Sequence, residues 1–194
     1  MSTATATASG RPGIVLADLL PASRVRDVAL VLGGAALTGL AAQISVPVPG
    51  SPVPVTGQTF AALLVGTSLG ARRGVASLAL YALAGLMGMP WFAGGTSGFS
   101  VSFGYILGMI LASAAVGALA RRGADRNVLR MAGAMVLGEA VIYAIGVPYL
   151  AYTAHLSASA AIAAGLTPFL IGDAVKAALA MGATPTAWKL VGKR

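Results

Sequence analysis

The sequence predicts an all-α membrane protein of six transmembrane helices with both termini on the cytoplasmic side. Three observations predict it. The 194 residues are 57% hydrophobic and only 9% charged, with a mean hydropathy of +0.86, whereas soluble domains carry about 25% charged residues. Apolar runs of spanning or near-spanning length recur along the chain. Finally, 12 of the 13 basic residues fall in short clusters that a six-span threading collects on one side, and the thirteenth is Lys176. By the positive-inside rule that side is cytoplasmic.

Residues 1–23 are dominated by Thr, Ala, Ser and Gly, and their apolar run at 14–20 is broken by Asp18 and followed by Pro21. They lack the pattern of a secretory signal and read as a disordered cytosolic tail, which leaves residues 24–194 as the membrane domain. The first span is 28–46, with Thr38, Gln43 and Ser45 its only polar side chains. It ends at the proline-rich stretch 47–54, since proline cannot continue a helix. Small residues repeat at four-residue spacing, Ala29/Gly33 and Ala35/Gly39, a pattern that lets helices approach closely. It suits a partner interface or packing within the bundle. The second run, 55–69, and the third, 75–89, are short for spans and meet at the Arg72-Arg73 turn. Pro90 opens a loop over 90–98. The fourth span is 101–120, and the fifth, 128–150, has Glu139 near its middle. Residues 151–166 form a further loop with a short helix begun by Ser157 and stopped by Gly165.

The sixth span carries the chemistry. Thr167 is expected as its N-cap and Pro168 as its first helical residue. Asp173 and Lys176 then share one helix face, about 9 and 13 Å below that start at 1.5 Å per residue. An ionisable group at such depth costs about 2.5–3.5 kcal/mol, so it marks a functional site; mutual neutralisation, or pairing with Glu139, is the plainer alternative. The outer loops 47–54, 90–98 and 152–166 lie just above this face. Together they suggest an apolar cavity with a few placed polar groups, the form of a small-molecule site.

Other chemistries lack their residues. With no cysteine there is no thiolate ligand or nucleophile, and a single histidine, His155, builds no multi-histidine metal site. No phosphate-binding Gly-x-x-x-x-Gly-Lys-Ser/Thr occurs, and no serine, histidine and carboxylate set falls in a plausible arrangement. The basic clusters come without a nucleic-acid motif. No catalytic residue, metal site or cofactor is expected.

The chain closely resembles the BioY family, the biotin-binding S components of energy-coupling factor (ECF) transporters, over residues 28–182. The resemblance rests on segments in the family's order: 35–38 with 43–47, Val-Pro-Val-Thr-Gly-Gln-Thr at 53–59, Leu-Gly-Ala-Arg-Arg-Gly at 69–74, Gly-Met-Pro-Trp-Phe-Ala-Gly-Gly at 88–95, Gly104-Tyr105, Ile142-Tyr143 with 146–148, and 168–170 with Gly172-Asp173 and Lys176. Family members usually lead into the fourth span with Gly-Pro-Thr-Gly-Gly-Tyr; here Ser100-Val101-Ser102-Phe103-Gly104-Tyr105 keeps only the last pair.

The resemblance implies a six-helix bundle in the bacterial cytoplasmic membrane that captures biotin from outside. It also implies coupling to a transmembrane T subunit and a pair of cytosolic ATPases, so that ATP is used by partners and not by this chain. Asp173 is then expected to accept from a ureido N–H, and Lys176 to donate to the ureido carbonyl or the carboxylate. Tyr81, Trp91, Phe92, Tyr105 and Tyr143 are candidate walls, and Gln58 and Thr59 candidates for the mouth. Gly94 and Gly95 would let backbone approach the ligand, and Ala35 and Gly39 would form a docking face for the T subunit. Two other readings stay open: an S component for another vitamin, and a membrane assembly protein that transports nothing.

Overall fold

A computed structural model describes residues 13–191. Seven helices carry the fold: α1 (Arg24–Ala42), α2 (Gln58–Leu69), α3 (Ala71–Leu86), α4 (Phe103–Arg121), α5 (Val128–Thr153), the short α6 (Ala158–Gly165) and α7 (Leu170–Val191). Two-residue strands β1 (Ser45–Val46) and β2 (Val55–Thr56) pair antiparallel, Ser45 opposite Thr56.

Local chemistry sets several boundaries. Ser23 accepts from the Arg26 amide and starts α1, Asn127 accepts from the Leu129 and Arg130 amides and starts α5, and Ser157 accepts from the Ala160 amide and starts α6. Each side chain takes up a donor that a helix N-terminus otherwise leaves bare. Gly70, at φ 79°, turns α2 into α3 within one residue, a conformation only glycine adopts without strain.

The helix α4 is the axis of the bundle. It is apolar apart from Ser113 and the terminal Arg121 and packs against α5, α2 and α3. Glycines permit the closest approaches: a Cβ on Gly66 would lie 2.8 Å from the Ser113 Cα, and one on Gly108 would lie 2.8 Å from the Ile142 Cα. Burial by backbone proximity suits helices that gain little from the hydrophobic effect among themselves. The outlying α7 rests mainly on α5.

Four helical stretches are long and apolar enough to cross a membrane: Arg24–Ala42, Phe103–Arg121, Val128–Thr153 and the run Ala158–Val191. The 12-residue α2 is apolar but shorter. One end of the bundle collects the start of α1, the α2–α3 joint, the α4–α5 turn and the end of α7. The β-hairpin, the 3-10 turn Ala93–Gly95 and α6 lie at the other end.

Four expectations change. The first helix runs over Arg24–Ala42 and not 28–46, because Ser23 caps it early and residues 45–46 leave it for the hairpin. Thr167 is no N-cap: residues Thr167–Phe169 form a 3-10 turn preceding α7, and the Thr167 hydroxyl donates back to the Ile162 carbonyl. Of the segment expected as a tail, 1–12 lie outside the described residues, but 13–20 are packed. Val15 is fully buried, Gly13 and Arg121 exchange backbone and side-chain hydrogen bonds, and the Asp18 carboxylate bridges Arg73 at 2.7 Å and Arg121 at 3.3 Å. Burial alone would raise the Asp18 pKa, but the hydrogen bond from Arg73 and the two guanidinium charges outweigh it and hold the carboxyl below its ordinary range.

The fourth concerns Ala35 and Gly39, which are buried inside the chain. A Cβ on Gly39 would lie 2.9 Å from the Trp91 ring. Their small size is used by internal packing, so they offer no exposed docking face. Ala29 and Gly33 on the same helix are exposed.

Candidate functional site

A narrow pocket lies at the hairpin end of the bundle, between α2, α4, α5 and α7. Each bordering element supplies part of its wall. The hairpin brings Thr56, α2 brings Gln58 and Thr59, α4 brings Tyr105, and α5 brings Ile142 and Tyr143. Phe169, Asp173 and Lys176 come from the turn before α7 and its first turns.

Four of its polar side chains are joined in a line. Lys176 Nζ donates to Thr59 Oγ1 at 2.8 Å and to Asp173 Oδ1 at 3.0 Å. The Tyr143 hydroxyl donates to the other carboxylate oxygen, Asp173 Oδ2. Three helices therefore converge on one ion pair, whose side chains are only 14% and 10% exposed. A desolvated pair of this kind persists only when its remaining hydrogen-bonding capacity is also used, which the threonine and tyrosine do. The Tyr105 hydroxyl donates to the Gly165 carbonyl at 2.7 Å, tying α6 over the site, and its ring stands edge-on to Tyr143 at 6.3 Å.

Of the residues singled out in the sequence, Gln58, Tyr105, Tyr143, Asp173 and Lys176 line this pocket, together with Thr59. Tyr81, Phe92, Gly94 and Gly95 do not. Tyr81 is fully buried behind the wall, where its hydroxyl donates to Gln58 Oε1 at 2.9 Å. Phe92 packs edge-on against Tyr81 at 5.2 Å. Trp91 donates from its indole to the Tyr81 carbonyl at 3.0 Å. Gly94 and Gly95 have φ of 66° and 75° and serve the turn itself; their neighbour Ala93 reaches the pocket instead. These residues form a support that holds Gln58 and the turn in place.

Thr56, Ser102, Ile142 and Phe169 also line the pocket and were not singled out as contacts. Two-residue strands leave no alternation to detect, and nothing in a single apolar sequence tells which face of α5 points inward. Glu139 lies one helical turn before Tyr143. It lines a separate apolar cleft between α5 and α7 that shares Tyr143 and Asp173 with the pocket. Its Oε2 is buried without a hydrogen-bond partner among the described residues.

Comparison with known proteins shows the family. A model of the BioY family matches residues 12–193. The biotin transporter BioY2 of Lactococcus lactis subsp. cremoris is 33% identical over 160 residues, covering 81% of this chain and 87% of that one. A probable biotin transporter BioY of Pyrococcus horikoshii is 36% identical over 158 residues, covering 81% and 93%. Among solved structures, the S-component for biotin from an ECF-type ABC transporter shares the fold, with a TM-score of 0.77 at 19% identity over 87% of this chain and 95% of that one. The chain belongs to the BioY family.

Proposed function

We propose that this protein is the biotin-capturing S component of an ECF-type transporter in the bacterial cytoplasmic membrane. The observation that carries the reading is the Thr59–Lys176–Asp173–Tyr143 line in the wall of the pocket at the hairpin end, in a chain of this family. Biotin offers complementary groups: two ureido N–H donors, a ureido carbonyl, an apolar bicycle and a carboxylate. Asp173 accepts from a ureido N–H, and Lys176 donates to the ureido carbonyl or the carboxylate. Charge-assisted bonds of this kind are about twice as strong as neutral ones.

Six spans with both termini cytoplasmic place the pocket toward the outside, where the vitamin is. The basic clusters support that orientation. The chain has no nucleotide-binding motif, so energy comes from a transmembrane T subunit and cytosolic ATPases. With Ala35 and Gly39 used internally, the exposed Ala29–Gly33 ridge of α1 is the small-residue surface left for the T subunit.

Radiolabelled biotin binding to the purified protein in detergent tests the assignment, beside Asp173→Asn and Lys176→Met variants. Saturable binding that both variants lose while remaining folded is the expected result. A folded wild type that binds no biotin, or variants that bind as well as wild type, would overturn the substrate or the site respectively.

A further inference from the structure

The two halves of α7 are held by different means. Over 170–179 its only buried residue is Asp173, while Leu170, Ile171, Val175 and Leu179 are exposed. Apart from Ala177, which packs against the core, what ties this half to the bundle is polar: Tyr143 to Asp173 and Lys176 to Thr59. Over 180–191 the burial is substantial, with Ala180, Thr184, Pro185 and Trp188 all inside. The Trp188 indole donates to Asp125 Oδ2 at 2.6 Å, and the Arg126 guanidinium lies over the Trp188 ring at 4.4 Å. The Asp125–Arg126 turn thus clasps one end of α7, and the ligand-binding groups hold the other.

Within the buried half, near its start, the helix is weakened at Thr184–Pro185. Pro185 has no amide hydrogen to give the Met181 carbonyl. The Thr184 hydroxyl donates back to the Ala180 carbonyl at 3.1 Å, a bond that favours bending. Beside the outer half runs the apolar cleft between α5 and α7, bordered by Met135, Ala140, Leu170 and Ala177, so there is room for movement.

We propose that Asp125, acting through Trp188, is a positioning residue that anchors α7, and that the outer half of the helix swings about the Thr184–Pro185 segment when ligand binds. The exchange follows from the bonding. Asp173 and Lys176 can engage a ligand only by giving up or sharing their bonds to Tyr143 and Thr59, and those bonds are what hold this half of α7 in place. A ligand that takes them over shifts the helix between two positions because it binds the two differently. This rests on the biotin reading above and adds the moving element and its pivot.

The chain has no cysteine, so spin labels can be placed freely. An outer pair, Ala144→Cys with Ile171→Cys, and an inner pair, Leu129→Cys with Leu190→Cys, both sit on exposed positions of α5 and α7. Their distances are measured by pulsed electron resonance on the full chain in nanodiscs, with and without biotin. Biotin is expected to shift the outer distance by a few ångström and leave the inner one unchanged. Trp188→Phe is expected to broaden the inner distance and speed biotin release several-fold. Asp125→Asn, which keeps an oxygen acceptor for the indole, is expected to behave as wild type in both readouts, and Asp125→Leu as Trp188→Phe. Pro185→Ala should reduce the outer shift. If saturating biotin moves neither pair, or moves both equally, the hinge is wrong although the biotin reading stands. Labelled protein that binds no biotin, when unlabelled protein also binds none, would instead remove the reading on which the hinge rests.

Discussion

Replacing Lys176 by methionine separates a ligand site from a merely structural ion pair. The change leaves Asp173, 8% exposed, with Tyr143 as its remaining partner. Breaking a fully buried pair by removing one member costs about 3–5 kcal/mol; the slight exposure of this pair makes that a ceiling. A charge-assisted hydrogen bond contributes about 1.5–3 kcal/mol, so biotin affinity should fall roughly 10- to 150-fold. The assay pairs equilibrium binding of labelled biotin with thermal unfolding in detergent, for Lys176→Met, Asp173→Asn and the double variant. The double variant leaves no unpaired charge, so its stability loss should be smaller than the sum of the single losses by about 1 kcal/mol or more. Its biotin affinity should stay at least as weak as that of the single variants. Additive stability losses would show that the two groups do not depend on each other, and recovery of binding in the double variant would show that neither touches the ligand.

Three further outcomes follow from the packing and the charges. Gly39→Leu must displace Trp91, whose ring would lie 2.9 Å from the new Cβ; overpacking typically costs about 1–3 kcal/mol, and an unchanged unfolding temperature would return Gly39 to the list of docking residues. Tyr105→Phe removes the donor to the Gly165 carbonyl and should cost about 0.5–1.5 kcal/mol, with faster hydrogen exchange in α6 as its signature; unaltered exchange there would count against the tie. Asp18 and Asp125 should give opposite slopes of stability with pH, measured by thermal unfolding from about pH 3 to about pH 8. The Asp18 pKa is lowered in the fold, so its contribution is present above the unfolded value and lost as pH falls through the folded one; Asp18→Asn should flatten the acid limb. Burial raises the Asp125 pKa despite its bond from Trp188, so its carboxyl favours the fold at low pH and loses that contribution as pH rises through the folded value. Asp125→Asn should remove that decline, and a profile identical to wild type would refute it.

The helices were legible in the sequence wherever length and charge clustering mark them, and the pair Asp173/Lys176 because ionisable groups stand out in an apolar run. The short helix after Ser157 was equally readable from its cap and from Gly165. Other features were hidden for physical reasons. The docked segment 13–20 is an apolar run too short to span and broken by Asp18, and its order comes from the burial of Val15 and the position of Asp18 between Arg73 and Arg121. Tyr81 and Phe92 are aromatic and near the site, but composition does not tell a pocket wall from the layer behind it; that depends on Gly85 admitting the Phe92 ring. Ala35 and Gly39 show the same ambiguity, since small residues at four-residue spacing permit close approach without saying to what.

The polar line in the pocket also fixes how the site should discriminate between ligands. Within the chain the two charges cancel and every member of the line has a partner. A ligand that displaces Tyr143 or Thr59 must then supply replacements, or it leaves a buried charge unpaired. Sites built on hydrogen bonds reject analogues lacking the matching group by about 10⁴–10⁵, whereas the loss of apolar bulk costs only about 10- to 200-fold. Desthiobiotin keeps the ureido group and the carboxylate but lacks the sulfur-containing ring. Lipoate keeps a similar carboxylate chain and an apolar ring but has no ureido group. In competition against labelled biotin, desthiobiotin should therefore displace it at moderate excess, and lipoate should fail even at a thousandfold excess (roughly 4 kcal/mol of discrimination). Equal competition by the two would mean that Asp173 does not read the ureido group, and that the pocket selects by shape and carboxylate alone.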